Sequence, residues 1–350
     1  MPNELTSKLK PLLAQPLVKM LLLGLLPCAF ISVSILPSGL GAIGLCLAGV
    51  LGFFLWFAFR SPPKGFWLPV LLLSPLLGFA CLGFGSMEYF SNLAITAQFE
   101  KALSPSNLHW FGTDYEGRDI LATLVIGGKN AYMVAFFSCI TALAVGTLTG
   151  TFLTLKNKVI RSLSLGVIQF FEIVPQLFFV LIVMGVYNFW VAQRATNQPS
   201  TIDGILIAGL AIGLSSVPSI ARVVENRLLQ LKSQRFVTAL EASNVSVFEI
   251  TGYNLLWKNC TAELAVQSTF LFGAALLLES ALSFAFEIGF GDLGSGGYLS
   301  WGKLLAEARR SILFGEQSWI VLAPTLATLS SILGINILGD QIAKNIQRGR

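Results

Sequence analysis

The sequence predicts an all-α, polytopic membrane protein with about eight transmembrane helices. Three observations carry that prediction. Of 350 residues, 54% are hydrophobic and only 12% charged, against about 25% charged in soluble domains; mean hydropathy is +0.73. Apolar runs recur at the length of about 20 residues that a helix needs to cross a bilayer. Basic residues collect in alternate connecting segments, the asymmetry that orients membrane proteins.

Taken in order, the first predicted span covers residues 18–36, behind Lys8, Lys10 and Lys19. Its N-terminal position also fits a signal peptide, but a second span follows almost at once at 39–59, after the turn Pro37-Ser38-Gly39, and favours a retained helix. The RSPPKG break at 60–65 leads to a third span at 66–85. Residues 1–86 thus form an N-terminal membrane region of about three spans, and the more polar 87–129 an external segment. Five further spans are expected within 130–350: 130–155, 163–190, 204–222, 264–286 and 319–339. With the N-terminus in the cytoplasm, Arg60, Lys64, Lys156, Lys158, Arg161, Arg222, Arg227, Lys232, Arg235, Lys258, Lys344, Arg348 and Arg350 all fall inside, as basic loop residues do. Both termini are then cytoplasmic, and 87–129 lies on the outer side of the membrane.

The net charge of +5 belongs to these cytoplasmic loops and does not suggest a nucleic-acid partner. Five cysteines without a CxxC pair indicate neither zinc nor a disulfide framework. The lone His109 cannot make a metal site by itself, so no metal is expected. The only Gly-Lys pairs, Gly128-Lys129 and Gly302-Lys303, are followed by Asn130 and Leu304 rather than the Ser or Thr of a P-loop. No catalytic constellation is present, so the chain is expected not to be an enzyme and to bind no cofactor. Any uphill movement would draw on an ion gradient or a partner.

Glu172 and Glu279 interrupt apolar runs, with Pro175 beside the first. Intramembrane acids usually face the protein interior or water. They read either as a proton or ion relay or as carboxyls that fix helix packing. Residues 225–263 form a polar interval between two spans. Apolar residues recur at Leu228, Leu231, Phe236, Ala239 and Leu240, an interrupted amphipathic pattern. Asn244 suits a helix end, and Ser246 with Glu249 is a candidate capping box. The expectation is helix, turn, helix: a surface helix or a docking element.

Four stretches together resemble the permease subunits of bacterial ABC importers for dipeptides, oligopeptides and nickel, specifically the second, C-type permease of the pair. HWFGTDYEGRDIL (109–121) is similar to the family's His-x-Phe-Gly-Thr-Asp-x-x-Gly-Arg-Asp signature. Residues 225–259 occupy the place of the Glu-Ala-Ala loop that docks on the ATPase. LLLESALSFAFEIGFG (276–291) is the third stretch, and SWGKLLAEARRSI (300–312) resembles the Ser-Trp-Gly-x-x-Leu-x-Glu-x-Arg segment. The likeness covers roughly 107–345. It implies a type I importer core, a second permease, two ATPase subunits that bind ATP and Mg, an extracytoplasmic solute-binding protein and surrounding lipid.

The resemblance makes Phe236, Thr238, Ala239, Leu240, Glu241, Ala242 and Asn244 the expected ATPase-coupling residues. Thr238-Ala239-Leu240 stand at the Glu-Ala-Ala positions, Asn244 at the usual glycine and Trp257 at a customary proline. These departures imply an unusual ATPase partner or weakened coupling. Gly112, Thr113, Asp114, Gly117, Arg118 and Asp119 read as a turn stapled by an Arg–carboxylate pair, or as a contact for a binding protein. Trp301 reads as an interfacial anchor or, with Glu172, Pro175 and Glu279, as part of the path or of the helix packing. The Gly-rich segment 287–318 is expected as an outer loop. Two other classes compete with the importer: an ion-coupled secondary transporter using Glu172 and Glu279, and a membrane scaffold without transport.

Overall fold

A computed structural model describes residues 101–107, 109–193, 201–237, 243, 255–256, 259–286, 299–314 and 317–348. The three expected N-terminal spans lie outside the described residues, as do Thr238–Ala242, Asn244, Ser246, Glu249 and Trp257.

Among the described residues the secondary structure is helical. The order is α1 (Ile120–Leu153), α2 (Lys158–Ile173), α3 (Gln176–Ala192), α4 (Thr201–Ser215), α5 (Val217–Lys232), α6 (Thr261–Phe286), α7 (Trp301–Glu307), α8 (Arg309–Phe314) and α9 (Ser318–Arg348). The helices α1, α6 and α9 are each long and apolar enough to cross a membrane. The pairs α2–α3 and α4–α5 reach that length only together, bent by 93° and 44° at their breaks. The protein is a multi-pass membrane protein.

Local chemistry sets the helix limits. Asp119 begins α1 by accepting from the Ala122 N–H at 3.0 Å. Asn157 does the same for α2, accepting from Val159 N at 3.0 Å. Such caps satisfy amides that have no partner inside the helix. Ile173 and Val174 precede Pro175, which has no amide hydrogen and disfavours helical geometry in the residue before it. Val174 is extended there. The residues 163–190 therefore form two helices meeting at Pro175, where hydropathy predicted a single span.

Two other span boundaries differ from the sequence reading. The helix α1 begins at Ile120, ten residues before the expected start at 130. Gly127, Gly128 and Asn130 interrupt the hydropathy but are buried, and Asn130 Nδ2 donates to the Leu299 carbonyl at 2.7 Å. At the other side, α5 continues to Lys232, into the polar interval. It does so because Leu228 and Leu231 sit on its buried face.

The end at which α1 begins is here the upper end. The upper core joins α1, α3, α4, α6 and α7 through Leu124, Val180, Met184, Ile205, Leu276 and Trp301. The lower core joins α1, α5 and α6 through Cys139, Ala142, Ile220, Val224, Leu228 and Leu271. The helices α4 and α5 run down against α1, and α6 packs along α9. Small residues permit this closeness: Gly146-x-x-x-Gly150 on α1 and Gly209-x-x-x-Gly213 on α4 are the spacing that lets membrane helices approach. A Cβ on Gly213 would stand 2.6 Å from the Ser138 carbonyl oxygen, and one on Gly150 would stand 2.5 Å from that of Ala221. Both obstacles are backbone.

Gly213→Val is accordingly expected to destabilise the detergent-solubilised protein by about 1–3 kcal/mol, the range for overpacking. Gly166→Ala, on an open face of α2 with nothing within 4 Å, should be neutral or stabilising by up to about 1 kcal/mol. Thermal unfolding followed by tryptophan fluorescence distinguishes the two.

Candidate functional site

The 109–119 motif is a closed turn at the upper end, built around Asp114. One carboxylate oxygen accepts from the backbone N–H groups of Glu116 at 2.9 Å and Arg118 at 2.8 Å. The other accepts from Arg118 Nε at 2.7 Å. Gly112 and Gly117 take φ values of 76° and 82°, a region that L side chains rarely enter. The turn closes with Thr113 paired to Asp119. The second Asp119 oxygen lies 2.8 Å from His109 Nδ1. His109 thus belongs to the cap of α1.

The turn reaches beyond itself through Arg118. This side chain is 8% exposed, and its Nη2 donates to the Glu307 carboxylate. Glu307 is the acid of the Ser-Trp-Gly segment, 189 positions further along. Burial works against the guanidinium charge, but Glu307 and then Asp114 outweigh it and hold Arg118 above its ordinary value. Nearby, Tyr115 Oη lies 2.8 Å from Ser311 Oγ and donates to Gln317 Oε1 at 2.7 Å. A cavity of about 150 Å³ lies between the turn and α9, lined by Asp114, Tyr115, Arg118, Thr123, Glu307 and Pro324.

The Ser-Trp-Gly segment supplies the other half of this junction. Ser300 caps α7, accepting from Lys303 N at 3.2 Å. Its hydroxyl donates to Ser283 Oγ at 3.2 Å, and Ser283 donates to Glu279 Oε1 at 3.1 Å. Glu279 is fully buried, with Ser280 also bonded to it. Trp301 is 1% exposed, and its Nε1 donates to the Leu124 carbonyl at 3.0 Å. It is a core wedge between α1 and α7, which agrees with the packing alternative and not with the interfacial anchor. Gly302 completes the motif, since a Cβ there would meet the Ser280 carbonyl at 2.5 Å. Residues 300–314 of the expected outer loop are therefore largely helical; 287–298 lie outside the described residues.

The described parts of three of the four stretches singled out in the sequence, 109–121, 276–286 and 300–312, thus meet at the upper end. The described edges of the fourth, 225–237 and 255–256, lie at the opposite end. There Phe236 is 42% exposed, while the next residue, Val237, is buried in the lower core. Arg227 lies 3.3 Å from Glu263 and donates to the Asn259 carbonyl at 3.5 Å, tying the two edges of the polar interval together. Lys232 donates to the Thr154 carbonyl at 2.8 Å, fastening α5 to the end of α1. A cleft of about 510 Å³ opens beside Arg227, Gln230, Gln234 and Phe236.

Of the intramembrane acids, Glu279 is enclosed by serines. Glu172 forms two contacts with Arg222, at 3.1 and 3.3 Å, just below the bend at Pro175. Sequence reasoning did not identify Tyr115, Asn130, Arg222 or Arg227. Glu307 was visible as the acid of a quoted motif, but without its role. Among the described residues no group of three His, Cys, Asp or Glu side chains is placed to hold a metal ion.

The family described as binding-protein-dependent transport system inner membrane component matches residues 142–348. The chain belongs to that family. It is a permease subunit of a binding-protein-dependent importer. Among its relatives is the dipeptide transport system permease protein DppC of Alkalihalophilus pseudofirmus, 29% identical over 71% of this chain and 75% of the relative. The oligopeptide transport system permease protein OppC of Salmonella typhimurium is 28% identical over 66% and 70%. The probable D,D-dipeptide transport system permease protein DdpC of Escherichia coli is 25% identical over 69% and 74%.

In this permease, Arg118→Ala leaves the buried Asp114 and the half-buried Glu307 without their cation. A loss of about 3–5 kcal/mol is expected, the range for breaking a buried pair from one side. The double variant Arg118→Met/Glu307→Leu should recover most of it. Thermal unfolding of all the single and double variants gives the coupling energy.

Proposed function

We propose that this permease pairs with a second permease to form a path for peptides, powered by two separate ATPase subunits that bind ATP and Mg. A solute-binding protein delivers the peptide at the upper end, which is periplasmic, and both termini are cytoplasmic. The observation that carries this reading is the division of the family-like stretches between two ends. Three are locked together at the upper end by Arg118–Glu307, Trp301 and the Glu279–Ser283–Ser300 chain. The interval expected to couple to an ATPase lies at the other. The peptide assignment rests on the relatives, several of which carry peptide transport in their names.

The lower end suits a docking role physically. Phe236 offers an exposed apolar side chain beside the polar cleft at Arg227 and Gln230, and Val237 roots the segment in the lower core. The residues expected from the sequence to contact the ATPase, Thr238, Ala239, Leu240, Glu241, Ala242 and Asn244, follow directly in the chain. An ATPase pressing there acts on α5, whose buried residues include Leu228 and Leu231. Two observations weigh against an ion-coupled transporter. Glu279 is hydrogen-bonded among serines, and Glu172 is paired with Arg222. About three spans, read from the sequence of residues 1–86, would stand where the resembled family has one.

Affinity purification of the solubilised permease should recover an ATPase, and Leu240→Asp should reduce recovery about tenfold or more by placing a charge in an apolar contact. Peptide uptake by cells should fall in parallel. Recovery of no ATPase, with proton-driven uptake by this chain alone, sinks the importer reading. Neither ATPase nor uptake, with assembly into another complex, supports the scaffold.

A further inference from the structure

Glu279 is 0% exposed, deeper than Asp114 at 7% or Asp119 at 8%. Those two acids have nitrogen partners: Asp114 holds Arg118, and Asp119 holds His109 and the first turn of α1. Glu279 has hydroxyls only. Ser283 Oγ lies 3.1 Å from its Oε1 and Ser280 Oγ 3.4 Å from its Oε2, and the Ser300 hydroxyl bonds it as well. Lys129 on α1, Lys303 on α7 and Arg309 on α8 are the nearest cations in the surrounding elements. Among the described residues none of them is paired with Glu279. The chain between α6 and the start of α7, residues 287–298, contains no Lys or Arg. An ionised carboxyl taken out of water needs a compensating positive charge.

The spacing of the oxygens indicates which charge. A hydroxyl bonded to an ionised carboxylate closes to about 2.5–2.7 Å. In α1, α6 and α9, the hydroxyls of Thr123, Thr141, Ser268 and Thr325 reach carbonyls at 2.7 or 2.8 Å. The contacts around Glu279 are longer throughout, at 3.1 and 3.4 Å to the carboxyl and 3.2 Å between Ser283 and Ser300. Oxygens at right angles about an ion bound at about 2.4 Å, within calcium's range, stand about 3.4 Å apart. Long oxygen–oxygen edges around a carboxylate are the geometry of a hard cation's ligands. One carboxylate balances one charge, whereas a divalent ion would leave a buried positive charge. Sodium has the size and the charge; potassium is larger and spreads its ligands further. Beside the cage, Asn130 donates to the carbonyl of Leu299, the residue before Ser300. Its Oδ1 is buried and has no donor among the described residues, which is another mark of an ion or a water.

We propose that Glu279, Ser283 and Ser300 form a sodium site, with Ser280 completing the cage and Asn130 at its edge. With a single carboxylate, it lies outside the clusters of His, Cys and acids that hold transition metals. The ion neutralises Glu279 and ties α6, which carries Glu279 and Ser283, to Ser300 at the start of α7. It is a resident ion rather than cargo, because the cage is closed: Ser280, Ser283 and Ser300 are all buried. The inference is independent of which solute the permease carries.

The test is thermal unfolding of the whole detergent-solubilised permease in sodium, potassium or choline chloride at equal ionic strength, together with binding of radioactive sodium. Sodium should raise the unfolding temperature above that in choline or potassium, and the rise should grow with sodium concentration as ligand-linked stability does. Bound sodium should saturate at about one ion per chain. Glu279→Gln, neutral and of the same shape, should bind no sodium and unfold at one temperature in all three salts. Ser283→Ala removes a ligand and should weaken sodium binding at least about tenfold, the loss typical even of a metal's outer-shell partners. A wild-type unfolding temperature equal in the three salts, or raised equally by sodium and potassium, overturns the proposal. So does sodium dependence retained by Glu279→Gln. Stability that follows pH and ignores sodium assigns the cage a proton and overturns the ion. Should Glu279→Gln fail to fold, the wild-type titration and Ser283→Ala decide, and an unchanged sodium affinity in Ser283→Ala overturns the site.

Discussion

A guanidinium taken out of water must find carboxylates, and where it finds them fixes the chain. Arg118 draws Asp114 from its own turn and Glu307 from a segment 189 residues away. Together these contacts close the upper end of the bundle. Once Glu307 is held, α7 is held, and Trp301 at its start is committed to the space beside Leu124. Ser300 is then placed to reach Ser283 on α6, and through it Glu279. The start of α9 follows through Tyr115 and Gln317. Four helices that would otherwise share only apolar contacts thereby gain directional ones. In a membrane that distinction matters, because lipid is as apolar as leucine and does not drive helices together.

The middle of the protein is organised differently. A break in a membrane helix exposes backbone groups that lipid cannot satisfy, and such breaks persist only where protein or a wet cavity serves them. Here the breaks at Pro175 and Ser216 serve each other through Gln176. Ser216 also donates back to the Ile212 carbonyl at 2.9 Å, which serves the end of α4.

What the sequence made legible was whatever depends on composition or on neighbours in the chain. Membrane class, most span positions within residues 130–350 and the Asp114–Arg118 turn are of that kind. Hydropathy averaged over a window cannot register the bend at Pro175, because residues on both sides are equally apolar. It also missed the first ten residues of α1, where Gly127, Gly128 and Lys129, next to Asn130, lower the average. Asn130 is tolerated there because Leu299, 169 residues distant, accepts its hydrogen bond. Trp301 shows the same limit from the other direction. An indole at the edge of an apolar run looks like a belt residue, and only the Leu124 carbonyl and the small residues around it make it a core residue. The partners of Arg118, Glu172 and Arg227 are likewise too remote for any local pattern to indicate.

The departures in the coupling interval are best understood from how that interval is rooted. Under the proposed coupling role, Thr238 and Leu240 stand where the resembled family has an acidic and a small residue, and the described residues next to them root the segment. That root begins at Val237, which is buried against the same lower core as Leu231 and Leu228. It is braced by Lys232 on the end of α1 and by Arg227 on Glu263 at the start of α6. Displacement of Val237 therefore moves α5 as a body, and the upper end of α5 is Ser216, the residue bonded to the other break.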